Sequence, residues 1–219
     1  HFHVGALSGL GLEDMGTGII AAGAVMQYMY ETQKSTLEHI TTIHPYSTGQ
    51  FMILDTSTRR NLELVETLRE KNKRGTLLWV LDKTKTAMGA RLLRSWIEQP
   101  LIKREAIIAR QDAVEELNMN YISREEIREY LNPVYDLERL IGRISYRTAN
   151  PRDLIAFCTS LELLPHIREI LREFHSQLFK GAAEDMDPLE DLFDLVKRAI
   201  VEEPPITLRD CLLYTSDAA

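Results

Sequence analysis

Hydrophobic residues recur at helical spacing along most of this chain. The clearest stripe lies within residues 85–99 and takes every fourth position, at Met88, Leu92 and Trp96. Such a stripe is typical of a helix that buries one face, and we expect Trp96 to lie in the middle of the core. Pro100 has no N–H to donate and therefore ends this helix.

Gly89 stands inside the same predicted helix, where a glycine costs about 1 kcal/mol relative to alanine. A glycine at such a position indicates that another backbone passes close to the helix. Thr86, three residues earlier, has the short oxygen side chain that caps a helix start.

Further stripes predict helices on both sides of this one. Asn150 and Pro151 combine a capping residue with a proline at the first helical position. Ser123 and Glu126 match the pattern of a capping box. Pro165 is expected to kink or divide the helix that follows Asn150. The predicted helices cover residues 15–38, 62–71, 103–119, 123–132, 137–144, 150–174 and 188–201.

Two short apolar runs are the candidates for strands. Residues 51–54 precede the candidate cap Asp55, and residues 77–81 are all large and apolar. The second run is too short to cross a membrane and predicts a buried core segment. Because helix otherwise follows helix with short connections, the sequence predicts a mainly α fold, a helical array or bundle with at most these two strands.

A loop-forming segment divides the chain. Residues 41–50 contain histidine, proline, serine and glycine in close succession, and we place a domain boundary there. Residues 71–75 form a basic turn, which we interpret as a solvated helix end in preference to a DNA-binding patch. Residues 181–187 are interpreted as a small acidic loop.

Composition limits the classes of protein that this chain can represent. Its 219 residues are 44% hydrophobic and 27% charged, as in ordinary globular proteins. The 33 acidic and 26 basic residues give a net charge of −7, whereas a domain that binds nucleic acid alone is usually basic. No run approaches the roughly 18 apolar residues of a transmembrane helix, and no signal peptide is recognisable. Cys158 and Cys211 lie far apart without a CxxC partner, which indicates a reducing compartment such as the cytoplasm.

Motifs for catalysis or cofactor binding are not found in the sequence. No G-x-x-x-x-G-K-[ST] loop could hold a triphosphate, and Gly16–Gly18 does not extend into a dinucleotide fingerprint. Asp112, Glu115 and Glu116 are interpreted as the solvated face of a helix, not as paired catalytic carboxylates. We assign no catalytic, cofactor-binding or metal-binding residue. Six histidines lack the spacing of a metal site: His1, His3, His39, His44, His166 and His175.

Four arginines are the strongest candidates for a phosphate contact: Arg139, Arg143, Arg147 and Arg152. The alternative is that they form salt bridges with the acidic residues of the same stretch, Asp136, Glu138 and Asp153. Cys158 lies near an apolar stripe and is interpreted as an inert buried residue.

The segment 77–101 resembles a known family. Its apolar run is followed by D-x-T-x-T-x-M-G-x-R-x-L, a tryptophan and P-L, which resembles the opening of the core, or lever, domain of MutS, the mismatch-recognition ATPase of DNA repair. A similar N-L-E-L element precedes the segment, and similar R-x-x-A-V, D-L-E-R and N-x-R-D-L elements follow it, in the family's order. The matching residues are Asp82, Thr84, Thr86, Met88, Gly89, Arg91, Leu93, Trp96, Pro100 and Leu101, with residues 61–64, 110–114, 136–139 and 150–154 outside the segment.

The resemblance implies a part of a larger protein. Residues 1–40 would be the end of the connector domain, and residues 41–210 the first half of the lever domain. This part would have no catalytic site and would couple a DNA clamp to an ATPase domain, where ATP and Mg²⁺ bind. The implied partners are mismatched double-stranded DNA, contacted through other domains, a second MutS subunit and MutL. A cytoplasmic location and no membrane partner are implied as well.

Other interpretations stay open at this level. A free-standing α-helical protein-interaction module without a DNA role would show the same periodicity, and a hydrolase using a carboxylate pair is a third candidate. Residues 211–219 (CLLYTSDAA) resemble no part of the family, and we expect them to be an artefact of a truncated or misassembled reading. The start at His1, without a methionine, predicts that the chain is cut from a longer one.

Overall fold

The computed structural model describes residues 12, 15–32, 37, 40, 43, 48–201 and 204. The chain divides into two compact units, His1–Gly49 and Gln50–Ala219. Within the described residues there are ten α-helices, and the nearest approach to a strand is a single antiparallel bridge between Phe51 and Leu101. The predicted mainly α fold is confirmed, and neither candidate strand forms. None of the helices described is long and apolar enough to cross a membrane.

The first unit contains one described α-helix, α1 (Gly16–Thr32), which is mostly apolar but carries Gln27 and Glu31, whose side chains hydrogen-bond to each other (2.9 Å). None of its side chains is buried. The hydroxyl of Thr32 donates to the carbonyl of Tyr28 (2.8 Å) in the last turn. The described helix runs to Thr32, and the end that the hydrophobic pattern predicts near residue 38 concerns residues that lie largely outside the described part.

The second unit begins with a segment that we call the arm, residues 50–102. The two ends of the arm pair with each other. The N–H of Met52 donates to the carbonyl of Pro100 (2.7 Å), and the N–H of Ile102 donates to the carbonyl of Gln50 (3.2 Å). The arm is therefore a loop closed at its base. Its helices are α2 (Thr56–Asn61), α3 (Leu77–Leu81) and α4 (Ala87–Glu98).

Six helices after the arm form what we call the bundle. The long helix α8 lies at its centre and packs against α6, α7, α9 and α10, while α5 packs against α6 and α9. The bundle helices are α5 (Arg104–Met119), α6 (Tyr121–Leu131), α7 (Leu137–Ser145), α8 (Pro151–Arg172), α9 (Gln177–Asp185) and α10 (Glu190–Ala199). One core cluster consists of Val134, Ile167, Ile170, Leu171, Phe174 and Ala183, and a second of Leu140, Phe157 and Leu161.

The apolar run at 77–81 is a helix. Thr76 is buried, and its hydroxyl accepts the N–H of Trp79 (3.1 Å), which caps the start of α3. Leu78 alone of the run is buried, and the other four side chains are exposed. The prediction of a buried core segment is therefore wrong, because little more than one helical turn can present only one face to its neighbours.

Residues 62–71, where the hydrophobic pattern predicts a helix, are not helical. The helix of this region is α2, which ends at Asn61. Asp55 accepts the N–H of Thr58 (2.6 Å) and caps its start. The residues after α2 form turns, with a positive φ of 48° at Glu63. The carbonyl of Glu63 accepts the N–H of Leu77 (3.2 Å), so the backbone of this segment also bonds to the start of α3.

The cap predicted for α4 is present, but the reason for its glycine differs from the prediction. Thr86 accepts the N–H of Gly89 (3.0 Å). A Cβ atom on Gly89 would lie 3.1 Å from the Thr86 hydroxyl oxygen and 3.5 Å from Cβ of Thr84. The close neighbours of Gly89 are therefore side chains of its own capping loop, and no second backbone is needed to explain the glycine.

Trp96 is not in the middle of the core. It is half-buried, and α4 as a whole contains no fully buried residue. The expectation was wrong because the two core clusters form around α8, which lies in the bundle, and α4 packs mainly against α3.

The start of α8 follows the prediction. Asn150 accepts the N–H of Asp153 (2.9 Å), and Asp153 accepts the N–H of Asn150 (2.8 Å), which completes a capping box. Pro165 lies inside the helix and does not divide it. The last helix begins at Glu190, close to the predicted start.

The capping box predicted at Ser123 and Glu126 does not form. Helix α6 begins at Tyr121, so both residues lie inside it. Asn120 separates α5 from α6, and its side-chain amide donates to the carbonyl of Glu116 (2.9 Å). This break between two helices comes earlier than the local S-x-x-E pattern indicates.

The segment interpreted as an acidic loop, residues 181–187, mostly belongs to α9. The start of α9 is capped from another helix, because the carboxylate of Glu116 on α5 accepts the N–H groups of His175 and Ser176 (2.9 Å to Ser176). A cap supplied by a residue about sixty positions away leaves no local signal in the sequence.

Candidate functional site

The residues that carry the family resemblance meet one another in the structure. The clearest meeting point is Arg91 on α4, whose guanidinium donates to both oxygens of Asp136 (2.8 and 2.7 Å) and, through Nε, to Glu138 (3.0 Å). Arg91 belongs to the D-x-T-x-T-x-M-G-x-R-x-L motif, and both carboxylates belong to the D-L-E-R motif. We call this group the Arg91 cluster. It joins the arm to the bundle.

Asp136 has two functions within the Arg91 cluster. Besides binding Arg91, it accepts the N–H of Arg139 (3.3 Å) and caps the start of α7. The Arg91 guanidinium and the Arg139 N–H together hold the pKa of Asp136 below its usual range, although burial opposes them. The two carboxylates, Asp136 first, raise the pKa of Arg91. Arg91 and Asp136 are therefore both charged near neutral pH.

A second joint lies within the arm. Lys73, in the basic turn, pairs with Asp82, the first residue of the D-x-T-x-T-x-M-G-x-R-x-L motif. Lys73 and the hydroxyl of Thr84 lower the pKa of Asp82 to about 2. Leu64, in the N-L-E-L element, accepts the N–H of Leu78 (2.9 Å) through its carbonyl. These bonds connect the turn after α2 to both ends of α3.

A third joint links α4 to α5. The guanidinium of Arg110, from the R-x-x-A-V element, lies 3.5 Å from the ring centroid of Trp96. This distance is that of a cation–π contact. Partial burial lowers the pKa of Arg110. An open, mainly apolar groove of about 970 Å³ runs beside this contact and is lined in part by Ile97 and Val114.

The four candidate arginines do not form a phosphate-binding group in the part of the chain that the structure describes. Arg143 pairs with Asp153 (2.7 Å), as the salt-bridge alternative predicts, and Arg152 donates to the carbonyl of Pro204 (3.3 Å). Arg139 and Arg147 have exposed side chains. The acidic partners Asp136 and Glu138 bind Arg91 instead of the arginines of their own helix.

The other residues considered for chemistry have structural surroundings. Burial raises the pKa of Cys158, which is consistent with an unreactive thiol. His166 stacks on Tyr130, with ring centroids 5.2 Å apart. Burial opposes ionisation of Glu116, but the N–H groups of His175 and Ser176 outweigh it and lower its pKa. Within residues 48–201 and the other described positions, no three His, Cys, Asp or Glu side chains are grouped to hold a metal. His1, His3, His39, His44 and Cys211 lie outside the described residues.

Sequence reasoning missed the partners of Arg91. The polar face of α4 gave no indication of them, because Asp136 and Glu138 lie 45 and 47 residues further along the chain. The available signal was the resemblance itself, since the three residues belong to two motifs that occur together in one family.

Comparison with known proteins shows to which family the chain belongs. The family model described as MutS domain III matches residues 57–216. Among curated proteins, the "DNA mismatch repair protein MutS" of Lachnoclostridium phytofermentans is 62% identical over 210 residues, 96% of this chain and 22% of the relative. The protein of the same name from Halothermothrix orenii is 49% identical over 96% of this chain and 23% of the relative. The one from Ruminiclostridium cellulolyticum is 47% identical over 92% of this chain and 23% of the relative. The chain thus spans less than a quarter of the length of these relatives, and it belongs to the MutS domain III family.

Proposed function

We propose that this chain is the structural part of a cytoplasmic mismatch-repair protein that couples a DNA clamp to an ATPase domain, both of which lie elsewhere in the protein. In this proposal the chain has no catalytic site. ATP and Mg²⁺ bind in the ATPase domain, and mismatched DNA, a second MutS subunit and MutL are partners of the whole protein. The rival proposal, a free-standing helical interaction module, requires no connection to DNA repair.

The observation that supports coupling is the Arg91 cluster. A structural coupler must keep its helices in defined positions, and packed elements with specific joints can pass a displacement from one end to the other. Arg91 connects α4 to the cap of α7 through a bidentate contact with Asp136. Bidentate guanidinium–carboxylate contacts restrict orientation as well as distance.

We also propose the domain assignment that the resemblance implies. Residues 1–40 are assigned to the end of a connector domain and residues 41–210 to the first half of a lever domain. The division of the chain at Gly49 and Gln50 supports an assignment of this kind. Residues 211–219 lie outside the described residues, and the family model reaches residue 216, so the match does not support the expectation that the tail is foreign from residue 211 onwards.

The coupling role can be tested in a chimera. Residues 57–210 of this chain would replace the matching segment of the Lachnoclostridium phytofermentans relative, with which the chain shares 62% identity. Steady-state ATP hydrolysis would be measured with paired and with mismatched duplex. We expect the chimera to keep the response of the relative to a mismatch. A folded chimera that hydrolyses ATP identically with both duplexes would overturn the proposal.

The isolated chain provides the complementary measurement. Because no phosphate-binding loop occurs in its sequence, we expect titration calorimetry with Mg·ATP to give no saturable binding. With its net charge of −7, we also expect no preference for mismatched over paired duplex at about 150 mM salt. Saturable nucleotide binding, or mismatch-specific binding, would place a site in this part of the protein and contradict the proposal.

A further inference from the structure

The arm and the bundle are joined by few side chains. The chain passes from one to the other at residues 102–103, which belong to no helix. Helix α4 packs mainly against α3 of its own arm, and none of its residues is fully buried. The arm also has its own closure, because its two ends pair at the Phe51–Leu101 bridge. The arm can therefore separate from the bundle without unfolding it, and α4, once detached from α7, is held mainly by its contacts with α3 and opens more readily.

The contacts across this boundary differ in strength. Met88 packs at the edge of the bundle core, and Arg128 donates to the carbonyl of Lys83 over a long 3.5 Å. The Arg110–Trp96 contact lies near the base of the arm, close to residues 102–103. The Arg91 cluster is the one described ionic contact between arm and bundle, and it lies at the far side of α4 from that base.

The Arg91 cluster is also accessible to solvent. The side chains of Arg91, Asp136 and Glu138 are 49%, 23% and 70% exposed. Exposed ion pairs are weakened by salt, and water can take over their hydrogen bonds when they open. Such a contact can break and re-form without unfolding the core around α8.

From these observations we propose that the Arg91 cluster is a latch that holds the arm against α7, and that its opening lets the arm move about residues 102–103 while the bundle stays folded. The inference rests on the same cluster that supports the coupling role, but it concerns only whether the arm moves relative to the bundle, which hydrogen exchange measures without ATP hydrolysis or DNA. It identifies Arg91 as a positioning residue for the whole arm.

Hydrogen exchange followed by mass spectrometry tests the latch in the full chain. In Arg91→Gln, we expect the amides of α4 to exchange severalfold faster, while those of α8 keep their wild-type rates. Glu138→Gln should give a smaller change in the same direction, because it leaves the bidentate contact between Arg91 and Asp136 in place. The matched control is Arg94→Gln, since Arg94 pairs only within α4, with Glu98. This control should leave the exchange pattern of the arm close to that of the wild type.

Wild-type protein provides a test that does not depend on a variant folding. Raising salt from about 0.1 M to about 1 M shortens the screening length from about 10 Å to about 3 Å. We expect α4 to exchange faster at high salt in the wild type and to show a much smaller salt effect in Arg91→Gln. Unchanged exchange of α4 in Arg91→Gln would overturn the latch, because the cluster would then not hold the arm. Equal acceleration in α4 and α8 would also overturn it, because arm and bundle would then open as one unit.

Discussion

The hydroxyl of Ser160 provides the sharpest test of how the bundle is held together. Ser160 lies on α8 and is 0% exposed. Its Oγ donates to the carbonyl of Ala156 (2.9 Å) and accepts the N–H of Tyr135 (3.0 Å), which belongs to the connection between α6 and α7. We predict that Ser160→Ala destabilises the chain, because it leaves the N–H of Tyr135 facing a methyl group at the fully buried position 160.

The expected size follows from two opposing effects. A donor left unpaired away from water costs about 1–3 kcal/mol. Alanine has a higher helix propensity than serine, which raises the free energy of unfolding by about 0.5 kcal/mol at most. The net loss is therefore about 0.5–2.5 kcal/mol, or roughly 1–10 °C in Tm for a domain of this size.

Thr159 offers a control at the neighbouring position. Its hydroxyl also donates to the carbonyl four residues earlier, that of Ile155 (3.0 Å), but Thr159 is exposed. Thr159→Ala should leave Tm unchanged or slightly raised. Thermal unfolding of the wild type and both variants, followed by circular dichroism, measures the difference. If Ser160→Ala melts at or above the temperature of Thr159→Ala, the Tyr135 bond does not stabilise the bundle and the reasoning is refuted.

Two further predictions concern the core and the arm. Leu161→Ala should lower the free energy of unfolding by about 2–5 kcal/mol, because Leu161 is only 2% exposed. Ile141→Ala is the control and should change it by less than about 0.5 kcal/mol, because Ile141 is 50% exposed. Urea unfolding measures both, and equal losses would mean that the core is misplaced. The pKa of Asp82 is lowered from 3.8 to about 2, so its contribution to stability is complete above the ordinary carboxyl pKa and is lost as pH falls towards 2. The Tm advantage of wild type over Asp82→Asn should accordingly be larger at neutral pH than at about pH 2–3, and an advantage that does not change with pH would contradict the Lys73–Asp82 pairing.

The sequence by itself determined the local features of this protein. The caps at Asp55, Thr86 and Asn150 each bond to an N–H three residues later, and all three are present. The stop at Pro100 likewise depends on the residue itself, since it has no N–H to donate. Interactions of such short range are present in the chain before it folds, and periodicity therefore predicted the mainly α fold and most of its helices. The motif order also identified the family, which needs no coordinates.

Only the tertiary structure decided which helix faces are covered. A stripe such as Met88–Leu92–Trp96 gives the direction of an apolar face, but not whether core or solvent lies against it, and here Leu92 is exposed and Trp96 half-buried. The same limit applies to α9, whose cap comes from Glu116 on another helix. It applies most of all to the Arg91 cluster, in which Asp136 and Glu138 lie 45 and 47 residues after Arg91 in sequence. Contacts at that separation depend on how the helices pack, and the hydrophobic pattern along one helix does not show which helices pack against it.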